Sequence, residues 1–140
     1  MPSTPISLVH KRIGVAVITG RQGKILIDRR KDEGEMAGLW EFPGGKVEPG
    51  ETIEECIERE IKEELDIKII VGDRLTTITH AYKTFNVTLY VHECQHLSGE
   101  PQPLECQEIR WVEPAQMNRY TFPQANKQII NLLQERGISE

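Results

Sequence analysis

The chain has 140 residues, of which 38% are hydrophobic and 28% charged, so we expect a single globular domain over residues 1–140 with one hydrophobic core. Its net charge of −5 argues against stable binding to nucleic acid, because such binding usually requires a basic surface. The N-terminus has no long apolar stretch, which predicts neither a signal peptide nor a membrane span and favours a cytoplasmic protein.

The first predicted element is a β-hairpin. Residues 11–19 and 24–29 are rich in β-forming side chains, and the glycine-containing segment 20–23 joins them. In GRQGK the first glycine is too close to the Gly-Lys pair for a phosphate-binding loop, and Ile25 stands where that loop requires serine or threonine. A turn is therefore favoured here. Residues 30–38 are polar and contain glycine, so we expect a mobile loop.

The next element is an acidic helix. Residues 51–52 precede further acidic residues, as is typical of a helix N-terminus, and the helical pattern runs to Leu65. At about 100° per residue, one apolar stripe is formed by Ile53, Ile57, Ile61 and Leu65. Viewed down the helix axis, Glu60 and Glu64 lie within roughly 40° of Ile53. Glu63 lies just beyond Glu60. We therefore expect these carboxylates to border the buried face.

Carboxylates in this position indicate a metal site. Like charges one turn apart repel each other, and carboxylates beside an apolar stripe lose hydration, so they need a cation. Oxygen-only ligands suit Mg²⁺ or Mn²⁺, which bridge carboxylates to substrate phosphates. The segment 43–46, Pro-Gly-Gly-Lys, can bring backbone groups close to the same metal and phosphates. The alternative is that the acidic residues only solubilise an amphipathic helix.

The rest of the chain predicts a sheet and a closing helix. Strand-like runs occupy residues 68–71, 75–80, 85–93 and 109–112. A short helical turn is predicted at 114–117 and the closing helix at 124–134. Helices interleaved with such strands predict an α/β fold in which a mixed β-sheet is sandwiched between helices.

The acidic helix and the segment before it resemble a known family signature. The matching positions are Gly45, Glu51, Arg59, Glu60, Ile61, Glu63, Glu64 and Ile67, and together they resemble the Nudix box of the Nudix hydrolases. Members of this family cleave nucleoside diphosphates linked to another moiety, and the resemblance implies the Nudix fold. Asp66 stands where the family usually has glycine, and aspartate tolerates a left-handed helix end better than most other residues.

Over nearly the whole chain, the sequence is similar to the MutT branch of this family. The similarity rests on Arg29-Arg30, residues 39–43, residues 99–101 with Glu105, Trp111, and residues 122–126. MutT proteins are pyrophosphohydrolases that remove 8-oxo-dGTP from the nucleotide pool. The resemblance therefore implies a nucleoside triphosphate substrate and a Mg²⁺ or Mn²⁺ cofactor, and we expect a monomer that helps to avoid mutations.

The resemblance also implies a metal site. Glu60, Glu63 and Glu64 would bind the metal together with the carbonyl of Gly44, and Glu105 would add a carboxylate from a loop. The reaction would be attack of a metal-activated water on the β-phosphorus, with a carboxylate accepting the proton. Glu60 and Glu105 are both candidates for this base.

Other residues would hold the carboxylates and the nucleotide. The helix periodicity turns Arg59 away from Glu60 and Glu64, so we expect it to pair with Glu51 and to keep the carboxylates in place rather than touch the substrate. By resemblance, Lys46 would contact the phosphates. The candidates for contact with the nucleoside are Arg30, Phe42, Asn126, Tyr82 and Phe85.

The predicted preference for 8-oxoguanine depends on Asn126. A side-chain amide offers an acceptor beside donors, and 8-oxoguanine presents a donor at N7 next to the O6 acceptor. Guanine has an acceptor at N7 and would leave a polar group of the contact unpaired. This costs about 1–3 kcal/mol, which corresponds to roughly ten- to hundredfold discrimination against guanine. The alternative is that Asn126 only caps the last helix.

Two other functions stay open. Residues 38–42 and 45–49 also resemble pyrophosphohydrolases acting on CTP or modified dCTP, whose base has no N7. The region 79–90 is compatible with the Nudix-like domains of adenine DNA glycosylases, which recognise 8-oxoguanine in DNA without hydrolysis. The complete set of glutamates and the acidic net charge argue against this non-catalytic function.

Overall fold

The computed structural model of the protein describes residues 9–138. Within this range the strands and α-helices are β1 Val9–Thr19, β2 Ile25–Arg29, β3 Trp40–Glu41, β4 Gly44–Lys46, α1 Ile53–Leu65, β5 Lys68–Ala81, β6 Phe85–Ser98, β7 Glu108–Val112 and α2 Lys127–Ile138. Short 3₁₀ turns are formed by Arg21–Gly23, Pro114–Arg119 and Gln124–Asn126. In this part of the chain no helix is long and apolar enough to cross a membrane.

The strands form one mixed sheet. Its order is β3-β2-β1-β6-β5, with β4 paired to β1 and β7 paired to β2. β1 and β6 run parallel, and the other strand pairs are antiparallel. The predicted hairpin is confirmed, because β1 and β2 pair on either side of the turn at 21–23.

Side-chain alternation along β1 builds a core on each face of the sheet. Val15 and Val17 belong to the core that also contains residues of α2. Ala16 and Ile18 belong to the core on the opposite face, which contains Ile57 and other residues of α1. The predicted mixed sheet between helices is therefore confirmed.

The ends of α1 follow the sequence prediction. Thr52 is the N-cap and forms a reciprocal capping box with Glu55. Asp66 closes the helix in the left-handed conformation, with φ 54° and ψ 40°. Ile61 and Leu65 of the predicted stripe are fully buried. The amphipathic pattern thus places the stripe against the sheet and leaves the glutamates at its border.

Some element boundaries differ from the prediction. The break predicted between residues 71 and 75 is wrong, because β5 is one strand of 14 residues. Its pairing with β6 shifts register between Val71 and Thr76, so Gly72 and Asp73 lie in an irregular stretch rather than in a loop. The closing helix begins later than predicted, at Lys127, because residues 124–126 form a 3₁₀ turn. β3 and β4 were not predicted.

Candidate active site

Two glutamates of α1 face β4 across a close backbone approach. A Cβ atom on Gly45 would lie 2.1 Å from Cδ of Glu60, so glycine is required for Glu60 to occupy this position. The backbone N–H of Gly44 donates to Oε2 of Glu64 at 3.3 Å. The glycine pair therefore lets the helix carboxylates reach the end of the sheet.

A second pair of carboxyl groups, which the sequence did not identify as part of the site, lies nearby. Asp28 of β2 is 5% exposed, and its register partner on β3 is Glu41. The two side chains are hydrogen-bonded to each other. Asp28 shares a strand face with the buried Leu26, which packs in the α1 core. The alternation along β2 could have predicted that Asp28 lies on the α1 side of the sheet. Its partner Glu41 lies on β3, a strand that is too short to recognise in the sequence.

Burial raises the pKa of these carboxyl groups, and at Glu64 the charges of neighbouring acids raise it further. The pKa of Glu64 is raised to about 10, mainly by burial and then by the charges of Asp28, Glu41, Glu60 and Glu105. Burial is also the main cause of the raised pKa of Asp28, Glu41 and Glu60. When these carboxyl groups ionise, the protein itself does not neutralise all of their negative charge. A bound divalent cation would neutralise the remainder.

Arg59 organises the glutamates of α1. Its Nε donates to Oε2 of Glu51 at 2.6 Å, which confirms the predicted pair. The expectation that Arg59 turns away from Glu60 is wrong, because Nη1 donates to Oε1 of Glu60 at 2.8 Å and to Glu63 at 3.2 Å. The long side chain reaches across the helix surface, which a projection of Cα positions does not show.

The same arginine fixes β4 and the segment before α1. Its Nη2 donates to the carbonyl of Lys46 at 3.1 Å. The hydrogen bond from Arg59 is the main cause that lowers the pKa of Glu51 to about 2. Arg59 thus holds two of the predicted ligands, Glu60 and Glu63. Within residues 9–138, no three acidic, histidine or cysteine side chains are already arranged around a metal position.

The loop that carries Glu105 is attached to the end of α1. The N–H of Gln102 donates to the carbonyl of Leu65 at 2.9 Å, and that of Leu104 donates to the carbonyl of Glu64 at 3.1 Å. Glu105 consequently lies near Glu64. It lines a small cleft of about 220 Å³ with Arg30, Lys31, Glu33, Glu41 and Glu64.

A cleft of about 370 Å³ contains Glu60 and Glu64 and joins a polar end to an apolar end. Among its lining residues are the predicted site residues Arg30, Phe42, Gly44, Lys46, Glu60, Glu64, Tyr82, Phe85 and Asn126. Four other predicted residues lie outside this lining, namely Glu51, Arg59, Glu63 and Glu105. Glu51, Arg59 and Glu63 form the ion-pair group described above, whereas Glu105 approaches from the adjacent small cleft.

Of the adjacent arginines, Arg30 is the one that lines the cleft. Its Nη1 pairs with Oε2 of Glu41 at 3.2 Å, and its Nε donates to the carbonyl of Glu35 at 3.1 Å. Arg29 instead donates to the carbonyl of Gly38. Arg30 therefore lies at the cleft, and its contact with a nucleotide stays a prediction.

Aromatic side chains form the apolar end. Phe42 is 3% exposed and packs against Phe122, with ring centroids 5.4 Å apart, so most of its surface belongs to the core. Phe85 and Tyr82 are also in contact, at 5.0 Å between ring centroids. Asn126, the residue before α2, also lines this cleft.

An ion pair at the cleft was not found from the sequence. Lys11 pairs with Glu35 of the loop 30–38, and its Nζ lies 4.1 Å from the centroid of the Phe85 ring. Both charged residues line the cleft. Nothing in the local sequence links two residues so far apart in the chain.

Comparisons with known proteins agree with the observed fold. A family model for the NUDIX domain matches residues 14–132. The chain is 35% identical over 112 residues to the CTP pyrophosphohydrolase of Escherichia coli (strain K12), covering 80% of this chain and 83% of that protein. It is 33% identical over 119 residues to the 8-oxo-dGTP diphosphatase of the same strain, covering 85% and 92%. A crystal structure of the MutT protein from Methanosarcina mazei Go1 has the same fold, with a TM-score of 0.85, 24% identity, and coverage of 95% of this chain and 99% of that one.

Proposed function

Because this chain belongs to the Nudix family, we propose that it is a pyrophosphohydrolase that converts 8-oxo-dGTP into the monophosphate and pyrophosphate. The observation that carries this proposal is that acidic residues, apolar side chains and Asn126 all line one cleft. The acidic end suits phosphates with a divalent cation, and the apolar end suits a base. The relative that is named an 8-oxo-dGTP diphosphatase supports the same substrate.

In this proposal the glutamates of α1 hold Mg²⁺ or Mn²⁺. The ligands would be Glu60, Glu63 and Glu64, with the carbonyl of Gly44 and with Glu105. The carboxylates suit the ion because they are oxygen donors whose charge the protein leaves partly uncompensated. When bound, the ion neutralises charge on the phosphate oxygens and lowers the pKa of a coordinated water.

Side chains of the protein would accept the proton and bind the phosphates. Water attacks the β-phosphorus, the bond from that phosphorus to the α-phosphate oxygen breaks, and a carboxylate accepts the proton of the water. Glu60, which lines the cleft, and Glu105, which lines the adjacent small cleft, are both candidates for this base. Lys46 is exposed at the polar end, where its ammonium group can bind phosphate, and Arg30 offers a second cation.

We propose that Asn126 selects the base. Its amide can accept from N7–H and donate to O6 of 8-oxoguanine at once, whereas guanine presents two acceptors at these positions. Phe85 and Phe42, which line the same cleft, would exclude water and make an unmatched hydrogen-bonding group costly. Selectivity would therefore come from the apolar end of the cleft and turnover from the acidic end.

The test is release of pyrophosphate from 8-oxo-dGTP, dGTP, CTP and 5-substituted dCTP in the presence of Mg²⁺. We expect 8-oxo-dGTP to have the highest kcat/KM, no turnover in EDTA, and no turnover by a folded Glu64→Gln variant. Preference for CTP, which the relative at 35% identity makes the second candidate, would replace the proposed substrate. Binding of 8-oxoguanine nucleotides without any hydrolysis would instead support a recognition domain.

A further inference from the structure

Tyr82 lies at the turn between β5 and β6, where one hydrogen bond and two ring contacts hold it. Its backbone N–H donates to the carbonyl of Phe85 at 2.8 Å. Its ring packs edge-on against His80, with centroids 4.5 Å apart, and lies tilted against Phe85 at 5.0 Å. The position of the phenol is thus determined by the turn and by two aromatic neighbours.

The hydroxyl of Tyr82 binds the segment that carries the base-reading asparagine. It accepts a hydrogen bond from the backbone N–H of Ala125 at 2.9 Å, across 43 residues of sequence. Ala125 is 1% exposed, so this N–H has little access to water if the tyrosine oxygen is removed. Asn126 is the next residue in the chain, and its own N–H donates to the carbonyl of Pro123 at 3.0 Å.

The 3₁₀ turn Gln124–Asn126 is short, so its position depends on contacts with other segments, such as the hydrogen bond to Tyr82. A turn of three residues has few internal hydrogen bonds and poorer hydrogen-bond geometry than an α-helix. An amide that must meet two adjacent groups on a base needs accurate placement, because small displacements weaken both hydrogen bonds. The hydrogen bond from Ala125 to Tyr82 connects this turn to the β5–β6 end of the sheet.

We propose that Tyr82 is a positioning residue for selectivity, which holds the turn 124–126 so that Asn126 meets the oxidised base. The inference rests on the proposed function, because it assumes that Asn126 reads the base. It differs from a direct base contact by Tyr82, since the hydroxyl is already engaged with the backbone of Ala125.

The test is a double-mutant cycle on the ratio of kcat/KM for 8-oxo-dGTP to kcat/KM for dGTP. Tyr82→Phe removes only the hydroxyl, and we expect it to lower this ratio about tenfold, as loss of a hydrogen bond to a buried N–H implies. In an Asn126→Ala background the same change should alter the ratio by less than about twofold, because the group that Tyr82 positions is already absent. If the two losses instead multiply, Tyr82 acts on the base independently and the inference is wrong.

Tyr120→Phe is the matched control. Tyr120 is also half-buried and its hydroxyl interacts with the guanidinium of Arg110, but it lies outside the cleft lining. We expect the control to leave the selectivity ratio at the wild-type value. A fall equal to that of Tyr82→Phe would show a general response to lost tyrosine hydroxyls and would overturn the inference.

Hydrogen exchange gives a readout that does not depend on activity. In Tyr82→Phe the amide of Ala125 should exchange at least about tenfold faster than in the wild type, while amides in the centre of β1 are unaffected. Unchanged exchange at Ala125 would overturn the inference. A wild-type enzyme without preference for 8-oxo-dGTP would refute the proposed function, whereas a preference that survives Tyr82→Phe would refute the inference alone.

Discussion

Replacing Glu64 with glutamine should stabilise the metal-free protein while it abolishes activity. Glu64 is largely buried among other acids, and its pKa is raised from the ordinary 4.5 to about 10. In the unfolded chain the group is ionised at pH 7, so folding must either protonate it or bury its charge. Protonating a carboxyl group with an ordinary pKa of 4.5 at pH 7 costs about 3 kcal/mol, at 1.36 kcal/mol for each unit of difference between the pH and the pKa.

Glutamine removes this cost because it is neutral at every pH. It has a similar shape, and its side-chain oxygen can still accept from the N–H of Gly44, which donates to Glu64 at 3.3 Å. For a chain of this size, about 3 kcal/mol corresponds to an increase in Tm of roughly 10 °C. The catalytic carboxylate site would therefore be a stability cost in the absence of metal.

The sign of the pH dependence follows from the raised pKa. The folded protein binds the extra proton, so the contribution of Glu64 to stability is full below about pH 4.5 and is lost as the pH rises toward about 10. The difference in stability between the variant and the wild type should grow from about 2 kcal/mol at pH 6 to about 5 kcal/mol at pH 8.

The assay is urea or thermal unfolding in EDTA at several pH values, followed by titration with Mg²⁺. The matched control is Glu58→Gln, an exposed glutamate on the same helix, which should change Tm by less than about 2 °C. Mg²⁺ should raise Tm more in the wild type than in Glu64→Gln, because the variant lacks a ligand charge. A Glu64→Gln protein that is less stable than the wild type in EDTA, or equally stable at pH 6 and pH 8, would refute this electrostatic reasoning.

The remaining predictions concern turnover and selectivity. Glu105→Gln should lower kcat more than it raises KM, because a metal ligand or base acts mainly in the transition state, and steady-state kinetics showing an unchanged kcat would place Glu105 outside the chemistry. Gly45→Ala should lower kcat about 100-fold, since its Cβ would lie 2.1 Å from Cδ of Glu60 and displace that carboxylate; near-normal turnover would contradict the close approach. Asn126→Ala should lose about 1–3 kcal/mol of discrimination between 8-oxo-dGTP and dGTP, and an unaltered ratio of kcat/KM would leave Asn126 as a helix cap.

Local sequence patterns determined the elements of the site well. The period of apolar residues located α1 and the border position of its glutamates, and Thr52 and Asp66 mark its ends as the structure has them. Alternating strand patterns also predicted most of the sheet. These features depend on contacts within a few residues, where steric and hydrogen-bonding preferences act directly on neighbouring side chains.

The missed features involve residues that are distant in sequence. The pairing of Asp28 with Glu41 requires the β2–β3 register, and the ion pair of Lys11 with Glu35 requires the loop 30–38 to lie over β1. The reach of Arg59 to Glu60 depends on side-chain conformation rather than on helical period. None of these distances is determined by spacing along the chain.

The sequence by itself determined the fold class, the acidic helix and the family, because these rest on periodicity and on a dense local motif. Only the tertiary structure decided which charges share one environment. Burial and the convergence of acids from α1, β2, β3 and the loop before β7 raise the pKa of Glu64, and the bond from Tyr82 to Ala125 links the sheet to the asparagine turn. Electrostatic energy depends on distance in space and on access to solvent, and both are set when separate segments pack together.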